Sequence, residues 1–363
     1  MSSTKLFPGS LLKSAMIVLT LVACTMTTGQ ALARTLSFAT NSPPNSKGLV
    51  EGLKWWAQQV EERSGGDLKV NIYYLQSLVK LKNAVEGISS GVATAGIVVP
   101  AYSQSRMPLH YLATTDFGSA DPYVTAEAWY RLYNKLPSLQ AELDKNNLVY
   151  LSNNSVGPTV LISNGHPYLT PKDLDGQKVR LSSHWTRTAN HFGWDVTTVS
   201  MTFPDIYSAL QRGTIDGAVS YLGLIIPARH NEVISYVVEP RLGQQANMVV
   251  MNRNVFESLP KKDQKVLMDL RHEWLLKDAE HTINHLNDSR RKLENNQGHP
   301  IKVIKLDEKQ RQTWEPGLRW SDDETVKQMM KYDDHADAVY KAYLDEIKVV
   351  EEEVKKNGYP WEH

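Results

Sequence analysis

Short apolar strands alternate with amphipathic helices along most of the chain, and this alternation restricts the fold more than any other feature of the sequence. A first block contains three strand patterns and two helix patterns, in which apolar residues recur at helical spacing. In chain order these segments are residues 34–40, 49–66, 68–75, 80–91 and 93–100. Glycines close both helix patterns, which is typical of helix ends. The alternation predicts an α/β fold.

A second block repeats the order strand, helix, strand, helix, strand. Its segments are residues 179–183, 183–193, 196–200, 204–213 and 214–222. In both blocks the last helix ends at a glycine, Gly91 or Gly213, and a short strand with small residues follows. Chance similarity is the alternative explanation. Two lobes built alike would produce this repetition, and it favours a two-lobed clamp.

Long amphipathic patterns fill the C-terminal part of the chain. The first covers residues 258–296 and begins with Ser258 and Pro260, and the second covers residues 322–357. We expect two long helices there, with their charged faces in solvent.

The N-terminus has the pattern of a secretory signal, residues 1–33. A basic start and a short apolar run lead to small residues at Ala31 and Ala33, which predicts cleavage after Ala33. The alternative is a lipoprotein signal of residues 1–23, with Cys24 as the lipid-bearing first residue. Either reading predicts an exported protein, in the periplasm or anchored at a membrane through Cys24. No later segment is long and apolar enough to span a bilayer.

Charge and cysteine content exclude several classes of protein. Lys and Arg together number 40, as do Asp and Glu, so the formal net charge is 0 and gives no electrostatic basis for binding nucleic acid or an anionic membrane. Cys24 is the single cysteine, so we expect an exported domain without disulfides or a thiolate metal site.

One segment carries the strongest functional signal. Its distinctive residues, in chain order, are Asp173, Leu174, Gly176, Lys178, Arg180, Met201, Phe203, Tyr207, Ala209, Leu210, Gly213, Asp216 and Gly217. They match the pattern DL-x-G-x-K-x-R, followed by P-M-x-F-x-E-x-Y-x-AL-x-x-G-x-x-DG. The segment therefore resembles a motif of the solute-binding proteins of tripartite ATP-independent periplasmic (TRAP) transporters, the DctP-like family.

The resemblance implies a periplasmic-binding-protein (Venus-flytrap) clamp that captures a small organic acid and delivers it to TRAP membrane permease subunits. It implies neither catalysis nor a cofactor. We expect residues 34–155 and about 243–275 to form the first lobe and residues 156–242 the second. Residues 276–363 should form helices that pack across both lobes.

Arg180 is the leading candidate for ligand binding. It lies at the end of a short predicted strand, and ligands of open α/β sheets bind outside the carboxyl ends of strands. Its planar guanidinium can hold a carboxylate with two parallel hydrogen bonds. The resemblance implies the same role. The structural alternative is an ion pair with Asp173 or Asp175.

Phe203 and Tyr207 lie one helical turn apart beside the motif. The ring of Phe203 would cover an apolar part of the ligand, and Tyr207 would donate a hydrogen bond from its hydroxyl group. Core packing of Phe203 and an internally satisfied Tyr207 are the alternatives.

Two departures from the family pattern bear on the ligand. Ser220 stands where many members carry a carboxylate-binding Asn, so a shorter donor replaces it. No second Arg precedes the motif, and Thr159 is the closest match to that position. A single clear guanidinium favours a monoanion over a dicarboxylate.

Further candidates come from the aromatic residues and from the first lobe. The rings near the motif are His184, Trp185, Trp194, Tyr207 and Tyr221, of which Trp185 is the first choice because it follows Arg180 closely. Tyr102, Asn41 and Asn45 are the candidate contacts of the first lobe. Core packing of the rings and an ordinary Asn-rich turn are the alternatives.

Other functions lack a comparable signal. His281 and His285 stand four residues apart on a predicted helix, but no third metal ligand is spaced to join them. The sequence contains no nucleophile elbow, P-loop, dinucleotide fingerprint or zinc-protease motif. An exported enzyme with a dispersed site, and a binding subunit for a sensor kinase or another transporter type, are the alternatives.

Overall fold

The protein contains two β-sheets with helices on their faces. The computed structural model describes residues 33–46, 48, 50–116, 118–240, 243–296 and 299–363. The signal-peptide predictions concern residues 1–33, of which residues 1–32 lie outside these ranges. The strands, in chain order, are β1 (Arg34–Ala39), β2 (Leu68–Tyr73), β3 (Ala95–Val98), β4 (Leu148–Ser155), β5 (Thr159–Ser163), β6 (Lys178–Arg180), β7 (Thr197–Thr198), β8 (Gly217–Tyr221), β9 (Tyr236–Glu239), β10 (Ala246–Asn252) and β11 (Lys302–Lys305).

The helices range from one turn to nine turns in length. They are α1 (Glu51–Arg63), α2 (Ala84–Ser89), α3 (Pro108–Tyr111), α4 (Pro122–Lys135), α5 (Pro137–Lys145), α6 (Ser183–Phe192), α7 (Ile206–Gln211), α8 (Arg253–Ser258), α9 (Lys261–Glu294), α10 (Glu308–Met329) and α11 (Ala336–Asn357).

Each sheet forms the centre of one lobe. The first sheet has the order β2-β1-β3-β10-β4 and the second has the order β11-β9-β5-β8-β6-β7. We call the parts built on these sheets the first lobe and the second lobe. The β1 strand pairs in parallel with β2 and β3, whereas β10 pairs antiparallel with β3 and β4. The predicted α/β fold with two lobes is confirmed.

Side chains of the central strands alternate between two cores. In β10, Met248 and Val250 pack in the core beside α4 and α11, whereas Val249 and Met251 pack in the core beside α1 and α9. This alternation follows from the two-residue period of a strand. Since apolar residues point to both sides, β10 is buried on both faces.

The chain passes between the lobes at two neighbouring places. It enters the second lobe between β4 and β5 and returns between β9 and β10. The β10 strand then pairs with β4 over its whole length, so the two passages lie side by side. The α9 helix adds a third connection, because Leu267 packs in a core of the first lobe and Leu286 packs in a core of the second.

Two C-terminal features differ from the sequence prediction. A strand, β11, lies in the region expected to be helical and pairs in parallel with β9. The second predicted helix is two helices, α10 and α11. The chain turns between them at Asp333, whose carboxylate accepts a hydrogen bond from the backbone N–H of His335 (2.9 Å). Such a local side-chain bond competes with helix continuation.

Candidate ligand-binding site

A cavity of about 440 Å³ lies between the two lobes. That volume is within the range of small-molecule sites. The lining residues of the first lobe and the passages are Asn41, Ser42, Pro43, Leu75, Gln76, Leu81, Val99, Ala101, Tyr102, Val156, Gln245 and Asn247. Those of the second lobe are Arg180, Ser182, His184, Phe203, Pro204, Tyr221, Leu224, Pro227 and Ala228.

Arg180 ends β6 and lies in the cavity wall. Its Nη1 donates to the carbonyl oxygen of Val219 (3.1 Å), and its Nε faces the carbonyl oxygen of Met201 (3.5 Å). None of the ion pairs between described residues includes Arg180. Asp173 instead caps its own turn, where its carboxylate accepts from the backbone N–H of Thr170 (2.7 Å). Backbone carbonyls therefore orient the guanidinium while its positive charge stays without a carboxylate partner.

Two aromatic side chains lie beside Arg180. The ring of Phe203 is 6.3 Å from the ring of Tyr221 and 5.3 Å from that of His230. Burial raises the pKa of Tyr221 to about 12, although the positive charge of Arg180 opposes the shift. The phenol is thus protonated at neutral pH and faces Gln245, with 3.5 Å between the two oxygens.

His230 is a buried neutral group behind Phe203. Burial lowers the pKa of its imidazole to about 4, and the positive charge of Arg180 acts in the same direction. Its Nδ1 lies 3.4 Å from the hydroxyl of Ser220. At neutral pH the guanidinium is therefore not joined by a second positive charge from this ring.

Polar side chains from the return passage complete the floor of the cavity. Gln245 donates from Nε2 to Oδ1 of Asn247 (2.9 Å), and both residues are buried. Neither residue was predicted to be part of the site, because both lie more than sixty residues beyond Arg180 and outside the recognised motif.

A strained turn contributes to the opposite wall. Leu75 and Gln76 have φ values of 55° and 59°, a region that residues other than glycine rarely adopt. The turn is held by a hydrogen bond from the backbone N–H of Gln76 to the carbonyl of Thr40 (3.0 Å). Strain of this kind is common at ligand sites. The sequence gives no signal for it, since neither residue is Gly or Asn.

Four of the eight predicted site residues line the cavity. They are Arg180, Phe203, Asn41 and Tyr102. The structure thus brings together candidates from both lobes, separated by up to 162 positions in the sequence.

The other four predicted residues lie outside the lining. Trp185 is 1% exposed and packs in the core with Trp314, and Ser220 is fully buried against His230. Tyr207 donates to the carboxylate of Glu232 (3.0 Å), and Asn45 is exposed in its turn. The contacts of Trp185, Ser220 and Tyr207 are to other residues of the protein, and for Trp185 and Tyr207 this corresponds to the alternatives given above.

No group of three or more metal-ligating side chains occurs within the described ranges. His285 of α9 instead forms a hydrogen bond through Nε2 to the carbonyl of Gly223 (2.8 Å). The described helices include none that is long and apolar enough to cross a membrane.

Comparisons with known proteins identify the family. The model of the bacterial extracellular solute-binding proteins, family 7 (DctP), matches residues 38–328. A solute-binding protein of Verminephrobacter eiseniae is 25% identical over 217 residues, which are 59% of this chain and 63% of that relative's length.

Solved structures have the same fold. A TRAP solute-binding protein from Rhodoferax ferrireducens, in complex with copurified benzoate, superposes with a TM-score of 0.76 at 19% identity and covers 87% of this chain and 98% of its own. A TRAP periplasmic solute-binding protein from Bordetella bronchiseptica, with bound (R)- and (S)-mandelate, superposes with a TM-score of 0.74 at 19% identity. The superposition covers 87% of this chain and 99% of that protein's chain. The chain belongs to the DctP family, family 7 of the bacterial extracellular solute-binding proteins, as the motif around Arg180 predicted.

Proposed function

We propose that this protein captures a small monocarboxylic acid with an apolar or aromatic body in the periplasm and delivers it to the permease of a TRAP transporter. The observation that carries the proposal is the guanidinium of Arg180, which has no carboxylate partner among the described residues and lies in the wall of a cavity between two lobes. A charge in such a place is costly unless a ligand compensates it.

The charge of the cavity lining supports a monoanion as the ligand. Arg180 is the only Lys or Arg among the lining residues, all of which belong to the described part of the chain. His230 is neutral at neutral pH. A dicarboxylate would leave its second charge without a cationic partner, and that desolvation is unfavourable.

The walls support an apolar or aromatic body for the ligand. Apolar side chains from both lobes surround the polar groups, and the rings of Phe203, Tyr221 and Tyr102 can pack against a flat ligand. The benzoate and mandelate bound to the two similar proteins are acids of this kind.

Closure of the lobes is the proposed binding step. The carboxylate first binds Arg180 of the second lobe. Movement of residues 156–242 against residues 34–155 and about 243–275 then brings Asn41 and Tyr102 onto the ligand. Binding energy shifts the equilibrium between open and closed forms, and neither ATP nor covalent chemistry takes part.

A thermal-shift panel tests the proposal. It contains aromatic and aliphatic monocarboxylates, dicarboxylates, sugar acids, sulfonates and neutral sugars. A ligand at about 1,000 times its Kd adds roughly 4 kcal/mol to the free energy of unfolding, which is a clear rise in Tm. We expect apolar monocarboxylates to raise Tm and the rise to vanish in Arg180→Ala.

Arg212→Ala is the matched control, because Arg212 is an exposed arginine of the second lobe outside the cavity lining. It should respond like the wild type. Ligand-induced shifts that persist in Arg180→Ala, or that come only from neutral sugars, contradict the proposal.

Processing of the N-terminus is tested separately. We propose cleavage after Ala33, so that the intact mass of the exported protein corresponds to a chain beginning at Arg34. A lipid-modified chain beginning at Cys24 contradicts this cleavage and indicates membrane anchoring.

A further inference from the structure

His184 lines the cavity, and its imidazole also approaches a buried carboxylate that is not among the lining residues. It is the second residue of α6, is half-buried, and lines the cavity together with Arg180 and Ser182. Its Nε2 lies 3.5 Å from Oδ2 of Asp116, a residue of the first lobe. The neighbouring ring, Trp185, points into the core instead.

Asp116 is a buried carboxylate held at the junction of the lobes. It is 5% exposed. Its Oδ1 accepts from Nε1 of Trp185 (3.2 Å), and its backbone N–H donates to the carboxylate of Asp322 on α10 (2.8 Å). Its Oδ2 has no hydrogen-bond partner among the described residues. The polar group that faces this oxygen is the imidazole of His184.

This arrangement assigns the position of the proton in a neutral His184. A carboxylate oxygen only accepts hydrogen bonds, so a lone pair on Nε2 would be repelled and Nε2–H is favoured. The hydroxyl of Ser182 lies 3.4 Å from the same nitrogen and can rotate so that its oxygen accepts from Nε2–H. The other nitrogen, Nδ1, is then an acceptor. It has no hydrogen-bond partner among the described residues.

We propose that the ligand is a hydroxy acid, whose carboxylate binds Arg180 and whose hydroxyl donates a hydrogen bond to Nδ1 of His184. Asp116 is a positioning residue that fixes the tautomer without contacting the ligand. The inference rests on the proposed function and narrows its ligand class. A site built to bond a hydroxyl discriminates against the analogue that lacks it, because its own polar group is then left unpaired.

Two pairs of acids that differ by one hydroxyl test the inference. The probes are (R)-mandelate against phenylacetate and 3-hydroxybenzoate against benzoate, measured by titration calorimetry at pH 8, where imidazoles are ordinarily neutral. In at least one pair, the hydroxy acid should bind the wild type about tenfold or more tightly than its partner.

Variants then locate the acceptor. His184→Phe keeps a ring but removes Nδ1, so it should lose the discrimination and still bind phenylacetate or benzoate. Asp116→Asn has nearly the same size, but its amide can donate to Nε2 and so move the proton of His184 to Nδ1. Asp116→Asn should therefore also lose the discrimination between the two acids of a pair. A purely structural role of Asp116 would not produce this loss. His166→Phe, a half-buried histidine of the second lobe outside the cavity, is the control and should keep it.

The outcomes separate the inference from the proposed function. If the wild type binds none of the four acids, the proposed aromatic acid class fails and the inference fails with it. If it binds them without discrimination, or if His184→Phe keeps the discrimination, the inference alone is overturned. Discrimination that is present at pH 5.5 but absent at pH 8 also overturns the inference. Should His184→Phe not fold, Asp116→Asn decides.

Discussion

At the scale of single residues, the neutral His230 makes stability depend on pH. Its pKa is about 4 in the folded protein, whereas an unfolded histidine has a pKa of about 6.5. Between these pH values the unfolded chain therefore binds more protons than the folded protein does. The contribution of neutral His230 to the free energy of unfolding is present above pH 6.5 and is lost as the pH falls towards 4. From pH 7.5 to 5 this loss amounts to about 2 kcal/mol at most.

Urea denaturation at the two pH values checks this prediction. His230→Gln should lose less stability on acidification than the wild type does. His191→Gln, at an exposed position, should lose as much as the wild type. An unchanged pH dependence in His230→Gln would mean that His230 is not neutralised by burial.

Arg180→Lys tests the geometry of the guanidinium as distinct from its charge. Lysine keeps the positive charge but cannot form two parallel bonds to a carboxylate. Calorimetry with benzoate should give a Kd about tenfold or more above that of the wild type, with a further loss in Arg180→Ala. Equal affinity in wild type and Arg180→Lys would contradict bidentate binding.

The sequence motif identified Arg180 and Phe203 as candidates, and both line the cavity. They could be identified because residue type and position beside a strand end are local features of the sequence. The choice between His184 and Trp185 could not be made in the same way. Neighbouring helical residues differ by about 100° in direction, and both are rings. Only packing against Trp314 and Asp116 determines that Trp185 is in the core and that His184 lines the cavity.

At the scale of secondary-structure elements, α9 depends on an aromatic contact with α1. Trp274 stacks on Trp56 with 4.4 Å between ring centroids and is 3% exposed. Trp274→Ala should lower the free energy of unfolding by about 3–5 kcal/mol in urea denaturation. Val349→Ala, on α11 and 49% exposed, is the control and should change it by less than about 0.5 kcal/mol. Similar effects of the two changes would contradict this packing.

Elements with a clear sequence periodicity were predicted from the sequence, whereas some elements that depend on pairing with a distant strand were not. The α1 and β2 segments have clear periodicity and a Gly-rich turn between them. The β11 strand is four residues long and half-buried, so its pattern is weak without its partner β9. For the same reason the contribution of Gln245 and Asn247 to the cavity could not be inferred, since it requires β10 to return between β3 and β4.

At the scale of the whole molecule, the first passage between the lobes packs tightly against α9. Gly157 has a φ of 91°, and a Cβ added there would lie 2.5 Å from Cδ2 of the buried Leu286. Gly157→Ala should therefore destabilise the protein by about 1–3 kcal/mol through backbone strain and overpacking. Gly165→Ala is the matched control, because its Cβ would have no neighbour within 4 Å. Equal Tm values for the two variants would mean that the passage adapts freely.

In the proposed mechanism, Arg180 receives the carboxylate of a ligand enclosed between two lobes. A crystal structure of the protein grown with benzoate is the decisive experiment. We expect the carboxylate within hydrogen-bond distance of the Arg180 guanidinium, with the ring of benzoate against Phe203 and Tyr221. Benzoate bound elsewhere, or an Arg180 side chain paired with a carboxylate of the protein itself, would show that Arg180 is not the anion-binding residue.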